Sequence, residues 1–236
     1  MQKVARRYWL VLWLLAVGLL IYPINNEPLR IAIIGCITGG WAGCLWSFWN
    51  RKPVFYGLLA LLVLISGFLA CPGRNPEPEK LREANLAALK SYTGTPYLWG
   101  GEGKRGIDCS GLIRAGLIKA NFEQGCYSLN PALVRFAISL WWHDCSAKAL
   151  GEEYRGQTKH ITAGSSINDL DGSHLQPGDM AVTKSGVHVL AFLGGEEWIE
   201  ADPHFGKVIM VTVPAPKNPW FEEPVNIMRW TELETK

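Results

Sequence analysis

Cys109 stands in Asp108-Cys109-Ser110-Gly111, where a glycine-rich stretch gives way to an apolar pattern at helical spacing. That pattern (Leu112, Ile113, Ala115, Gly116, Leu117, Ala120) predicts a helix with the cysteine in its first turn. Unpaired backbone N–H groups and the positive end of the helix dipole favour a thiolate there over a thiol. A thiolate is a nucleophile; the alternative is a small, buried, apolar cysteine. His188 lies in Gly186-Val187-His188-Val189, inside an apolar run that predicts a strand. Beside a thiol it would serve as general base, and alone it would be a satisfied structural residue. His143, His160 and His174 have no partner pattern, and His143-Asp144-Cys145 has no metal-ligand spacing. No metal or cofactor is expected.

The elements that must position these residues follow from the pattern. Residues 79–92 read as a helix ended by Thr93-Gly94-Thr95-Pro96. A second helical run covers 131–145, where Trp141 and Trp142 fit a core face better than a groove. Residues 151–171 are polar and turn-rich. Short strands are predicted at 180–183, 187–192, 198–202, 208–213 and 227–230. Helices followed by antiparallel strands make an α+β fold.

Three stretches carry a resemblance. Gly94-Thr95-Pro96-Tyr97-Leu98-Trp99-Gly100-Gly101, then Gly106-Ile107-Asp108-Cys109-Ser110-Gly111, then Leu175-Gln176-Pro177-Gly178-Asp179 with the His188 strand behind it, resemble the NlpC/p60 cysteine peptidases in content and order. The resemblance covers about residues 80–235. It implies a papain-like core, helices packed on an antiparallel sheet, with Cys109 as nucleophile and His188 as base. It places the third catalytic residue on Glu200, where the family usually has a His or another polar group. Asp202, two residues on, shares that face of the strand, and His204 is the alternative third residue. The resemblance also gives Tyr97 an oxyanion-stabilising role, and Asp108, Ser110 and Trp99 a place in substrate binding; Asp108 is alternatively a helix cap. The implied substrate is a peptidoglycan stem peptide, cut between D-glutamate and the diamino acid. Other amide chemistry on the same fold (amidase or acyltransferase) and a non-catalytic wall-binding module stay open. Residues 125–171 exceed the family's usual connection. They are expected to form an insertion over the substrate groove, a place for control by itself or by a regulatory partner.

The first 71 residues differ in kind. They hold 6 basic and 1 acidic residues, against 17 and 20 afterwards. The mildly acidic remainder argues against nucleic acid as a partner. Residues 8–22, 31–49 and 54–71 are uncharged apolar runs, which predict three transmembrane helices and a lipid bilayer as partner. Lys3, Arg6 and Arg7 place the N-terminus in the cytoplasm, so three spans put the rest outside a bacterial inner membrane, on the periplasmic or extracellular side. Residues 72–78, with three prolines, form a linker, and 79–236 the catalytic domain. Of six cysteines, Cys126 and Cys145 could pair in an oxidising exterior.

Overall fold

The computed structural model describes the backbone of residues 2–234 and the side chains of residues 8–234. The basic side chains Lys3, Arg6 and Arg7, on which the expected orientation rests, lie outside the described ones.

Three helices come first: α1 (Gln2–Leu20), α2 (Glu27–Ser47) and α3 (Lys52–Ala70). Asn26 starts α2 by accepting from the Leu29 N–H at 3.1 Å. Helices α1 and α2 pack as a hairpin. Glycine permits the close approach, since a Cβ at Gly40 or Gly43 would run into Trp13 or Trp9. Helix α3 has no buried residue. By length and composition, two helices can cross a membrane, Glu27–Ser47 and Lys52–Ala70; the apolar part of α1, Tyr8–Leu20, is shorter.

The rest is an α+β unit. Helix α4 (Pro78–Lys90) packs on α5 (Cys109–Tyr127), and α5 packs on α6 (Pro131–Trp142). A small hairpin, β1 (Glu102–Gly103) and β2 (Gly106–Ile107), precedes α5. Helix α7 (Ala147–Gly151) follows α6. The sheet comprises β3 (Thr158–Gly164), β4 (Met180–Thr183), β5 (Val189–Gly194), β6 (Glu197–Asp202), β7 (Lys207–Thr212) and β8 (Val225–Trp230). Its order is β3-β8-β4-β5-β6-β7, antiparallel throughout.

Alternation along the strands sends side chains to two cores. Val182, Val189, Ala191, Ile199 and Met228 face the helices, against Leu112, Leu117 and Leu89. Ala181, Leu190, Phe192, Trp198 and Ile227 form the second core with Phe221 and Ile167.

Residues 125–171 are partly built into this core. Leu140 of α6 and Leu150 of α7 are fully buried, and β3 extends the sheet beside β8. The segment after α6 lines, through Asp144, Cys145, Ser146 and Ala149, a pocket that Asp108 and Ser110 also border. Trp141 and Trp142 form a tilted pair at 6.4 Å, with Trp142 partly exposed. All six cysteines are free, Cys126 and Cys145 included.

Candidate active site

Asp108 ends the glycine-rich loop and caps α5. Its Oδ1 accepts from the Gly111 N–H at 2.6 Å and from Ser110 Oγ at 3.0 Å. Its Oδ2 accepts from the Gly100 N–H at 2.8 Å, which ties loop and helix together. Gly111 has a steric reason: a Cβ there would collide with the Gly101 carbonyl, which itself accepts from the Asp108 N–H at 3.0 Å. Cys109 is thereby fixed at the helix start, and it is buried.

His188 immediately precedes β5. Thr183, at the end of β4, holds it. The His188 N–H donates to Thr183 Oγ1 at 3.0 Å, and its carbonyl accepts from the Thr183 N–H at 3.0 Å. Gly186 makes the tight turn between them, with φ +71°. The Cys109 sulfur sits against both neighbours of His188. It lies 3.9 Å from the Val187 carbonyl oxygen and takes a hydrogen bond from the Val189 N–H.

Behind the imidazole a polar chain continues inward. His188 Nε2 is 2.7 Å from Glu200 Oε2, and both side chains are buried, at 2% and 0% exposure. Asn218 Nδ2 donates to Glu200 Oε1 at 2.5 Å. Trp220 stacks on the imidazole, ring centroids 4.2 Å apart at 19°. Glu200 occupies Nε2, so Nδ1 is the nitrogen left for the thiol proton. A buried carboxylate against imidazole fixes its orientation and stabilises its cation.

Electrostatics around the sulfur oppose the simple sequence expectation. Burial, aided by the Asp108 charge, pushes the Cys109 thiol up to about 12. The N–H groups of Val189, Ser110 and Cys109 itself pull the other way without prevailing. The helix start alone does not make this sulfur a thiolate; its proton needs an acceptor. Tyr97 is half-buried and also pushed up to about 12, by burial first and then by Cys109, Asp108 and Asp202. Its hydroxyl thus stays a neutral donor near the sulfur.

The structure brings Glu200 to His188 and leaves the alternatives elsewhere. Asp202 Oδ1 accepts from the His204 and Phe205 N–H groups at 2.5 and 3.0 Å, capping the turn between β6 and β7. His204 is exposed, its ring 6.1 Å from Trp220. Trp99 is 76% exposed and, with Asp108 and Ser110, borders a pocket of about 660 Å³. Among the described residues no group of three His, Cys, Asp or Glu side chains is placed to hold a metal ion. Asn218 and Trp220 escape the sequence reading. Asn218-Pro219 does signal a capped turn, and Asn218 caps the 3-10 turn Pro219–Phe221. Nothing local says that the turn folds back over Glu200.

The cysteine at a helix start thus lies against the backbone beside a histidine just before a strand of an antiparallel sheet, in an α+β fold. The NlpC/P60 family matches residues 94–227, and the chain belongs to that family, whose members are typically peptidoglycan-hydrolysing cysteine peptidases. Among curated proteins none matches the chain. Similar solved structures include the P60 domain of an antigen from M. avium subspecies paratuberculosis, at 21% identity and TM-score 0.41, covering 68% of this chain and 100% of that one. The peptidoglycan hydrolase RipB from Mycobacterium tuberculosis is 19% identical, TM-score 0.41, covering 64% and 67%. NlpC1 from Trichomonas vaginalis is 17% identical, TM-score 0.40, covering 63% and 43%.

Proposed function

We propose that the protein is a membrane-anchored cysteine peptidase that hydrolyses peptidoglycan stem peptides, of the D-glutamyl–diamino acid endopeptidase type. The observation that carries the reading is the buried chain Asn218–Glu200–His188, which ends where the backbone of Val187 and Val189 meets the Cys109 sulfur.

In this reading His188 Nδ1 takes the Cys109 proton as the sulfur attacks the peptide carbonyl. The Tyr97 hydroxyl and the Cys109 N–H stabilise the oxyanion. The tetrahedral adduct collapses to a thioester as His188 returns the proton to the leaving amine. His188 then deprotonates a water, which hydrolyses the thioester and frees the sulfur. Glu200 keeps the imidazole oriented and its cation stable through both halves. Asp108, Ser110 and Trp99 border the peptide site.

The membrane part rests on exposed apolar surface. Leu14, Val63 and Leu64 are among the large side chains that point away from the protein, and water disfavours such faces. The turn between α1 and α2 and the end of α3 both touch the α+β unit: Glu102 N donates to the Pro23 carbonyl, and Arg135 Nη1 to the Leu69 and Cys71 carbonyls. This supports a catalytic unit on one side of the bilayer and the α2–α3 junction on the other; Arg51 and Lys52 at that junction favour the cytoplasm, which leaves the periplasmic or extracellular side for the catalytic unit.

The test uses the full chain in detergent with purified wall peptides, read by mass. The wild type should release fragments cut after D-glutamate, and Cys109→Ala none. Fragments from a different amide would move the reading to an amidase or acyltransferase. Binding without cleavage by the wild type would leave a wall-binding module.

A further inference from the structure

The turn between α1 and α2 lies against the loop that carries Trp99. Ile24 and Gly101 form an antiparallel bridge. The Asn25 N–H donates to the Gly100 carbonyl at 3.4 Å, and the Glu102 N–H to the Pro23 carbonyl at 2.9 Å. Asn25 Nδ2 donates to Glu102 Oε2 at 2.7 Å. The membrane hairpin thus adds a short extended segment to the glycine-rich loop that Asp108 ties to the Cys109 helix.

One side chain locks it there. Arg30 is 1% exposed, in the second half of the first turns of α2, where the helix dipole disfavours a cation. A buried guanidinium is costly unless its donors are used. Here Nε donates to Asn25 Oδ1 at 3.0 Å and Nη2 to the Asn25 carbonyl at 2.9 Å. Nη1 donates to the Trp142 carbonyl at 2.8 Å, and Nη2 to Asp144 Oδ1 at 2.5 Å. One planar fork joins the membrane turn to the segment after α6.

The pocket of about 660 Å³ lies between these parts, with Ile24, Asn25 and Asn26 on one side and Trp99, Asp108 and Ser110 on the other. Its other carboxylates are matched: Asp144 by Arg30 and Glu102 by Arg114. Asp108 is the lining carboxylate with no arginine partner, so the pocket suits a peptide end with one positive charge.

We propose that the turn between α1 and α2 is a wall of the peptide-binding pocket, and that Arg30 is the positioning residue that clamps it. This rests on the peptidase reading for its substrate. It adds that the membrane hairpin, beyond anchoring, sets affinity for the peptide end that reaches Asp108 and Ser110, the chain neighbours of Cys109.

The test uses the full chain in detergent and a stem peptide with a free amino terminus. In the wild-type background, Arg30→Gln should raise KM at least tenfold and leave kcat within about threefold. Arg30→Lys, which keeps the charge but not the fork, should fall between. In the Cys109→Ala background, calorimetry should give an affinity at least tenfold weaker with Arg30→Gln than without. Turnover by the wild type with an unchanged KM in Arg30→Gln would overturn the wall and keep the peptidase. Absent turnover, with binding still weakened tenfold by Arg30→Gln, would overturn the peptidase and keep the wall. Neither turnover nor binding would overturn both. Should Arg30→Gln fail to fold, Asp144→Asn decides, its side chain being 63% exposed. It should weaken binding about threefold, and an unchanged affinity would overturn the proposal.

Discussion

The Cys109 proton sets the chemistry at the residue scale. A sulfur held up to about 12 by burial and Asp108 stays protonated at neutral pH unless a base accepts from it. In His188→Ala that base is gone. Alkylation of Cys109 by iodoacetamide at pH 7 should fall at least a hundredfold, and its rate should climb tenfold per pH unit up to strongly alkaline pH. Asp108→Asn in the same background removes a negative charge that raises the thiol. Its rate profile should therefore shift to lower pH, readable by mass at pH 8 to 10. Glu200→Gln keeps size and one hydrogen bond but cannot balance the imidazolium, so kcat should drop by about 10²-fold or more while KM holds, a split that stopped-flow and steady-state assays separate. At this scale Cys109, His188 and Glu200 were legible because motif, glycine turn and strand spacing are local. Asn218 and Trp220 were not, because 18 residues and a strand separate Asn218 from the carboxylate it holds.

At the scale of elements, α5 begins where it does because the loop and the helix start are locked together. Gly111 lies under the Gly101 carbonyl, and Asp108 bonds both the loop and the helix. Gly111→Ala must push the loop off the helix start. Overpacking of this kind costs about 1–3 kcal/mol. The variant should melt lower than the wild type and lose most turnover, since the loop also carries Tyr97 and Trp99; a scanning-fluorimetry melt and the peptide assay check both. The helices and the later strands could be read from the sequence because their apolar periodicity is strong. Strand β3 could not. It is an edge strand with mostly exposed or half-exposed residues, so Lys159, His160 and Thr162 give no inward–outward alternation to read. Its pairing with β8 comes from long-range register, which no local pattern carries.

At the scale of the whole molecule, the α+β unit and the hairpin are tied by part-buried polar contacts, and the C-terminal turn packs on α4. The apolar runs were legible as candidate spans, yet nothing in them foretold that the turn after the first would dock on the glycine-rich loop that leads to Cys109. That contact depends on Arg30 meeting the Trp142 carbonyl and the Asp144 carboxylate, both more than a hundred residues away. Glu232 follows β8 and faces α5. Burial pushes its carboxyl up to about 7, against an opposing hydrogen bond from Asn121, and one oxygen has no partner among the described residues. Its ordinary value is 4.5. Between those two values the folded protein holds a proton that the unfolded chain has released. Stability from this group therefore falls as pH rises through that window and is flat above about 7.5, a loss on the order of 3 kcal/mol. Glu232→Gln has no proton to lose. Melting of the full chain in detergent at pH 5.5 and pH 8 should show the wild type dropping by several degrees more than the variant. Equal drops in both would mean that the Glu232 carboxylate is solvated in the folded protein and that the flank between α5 and the C-terminal turn is open to water.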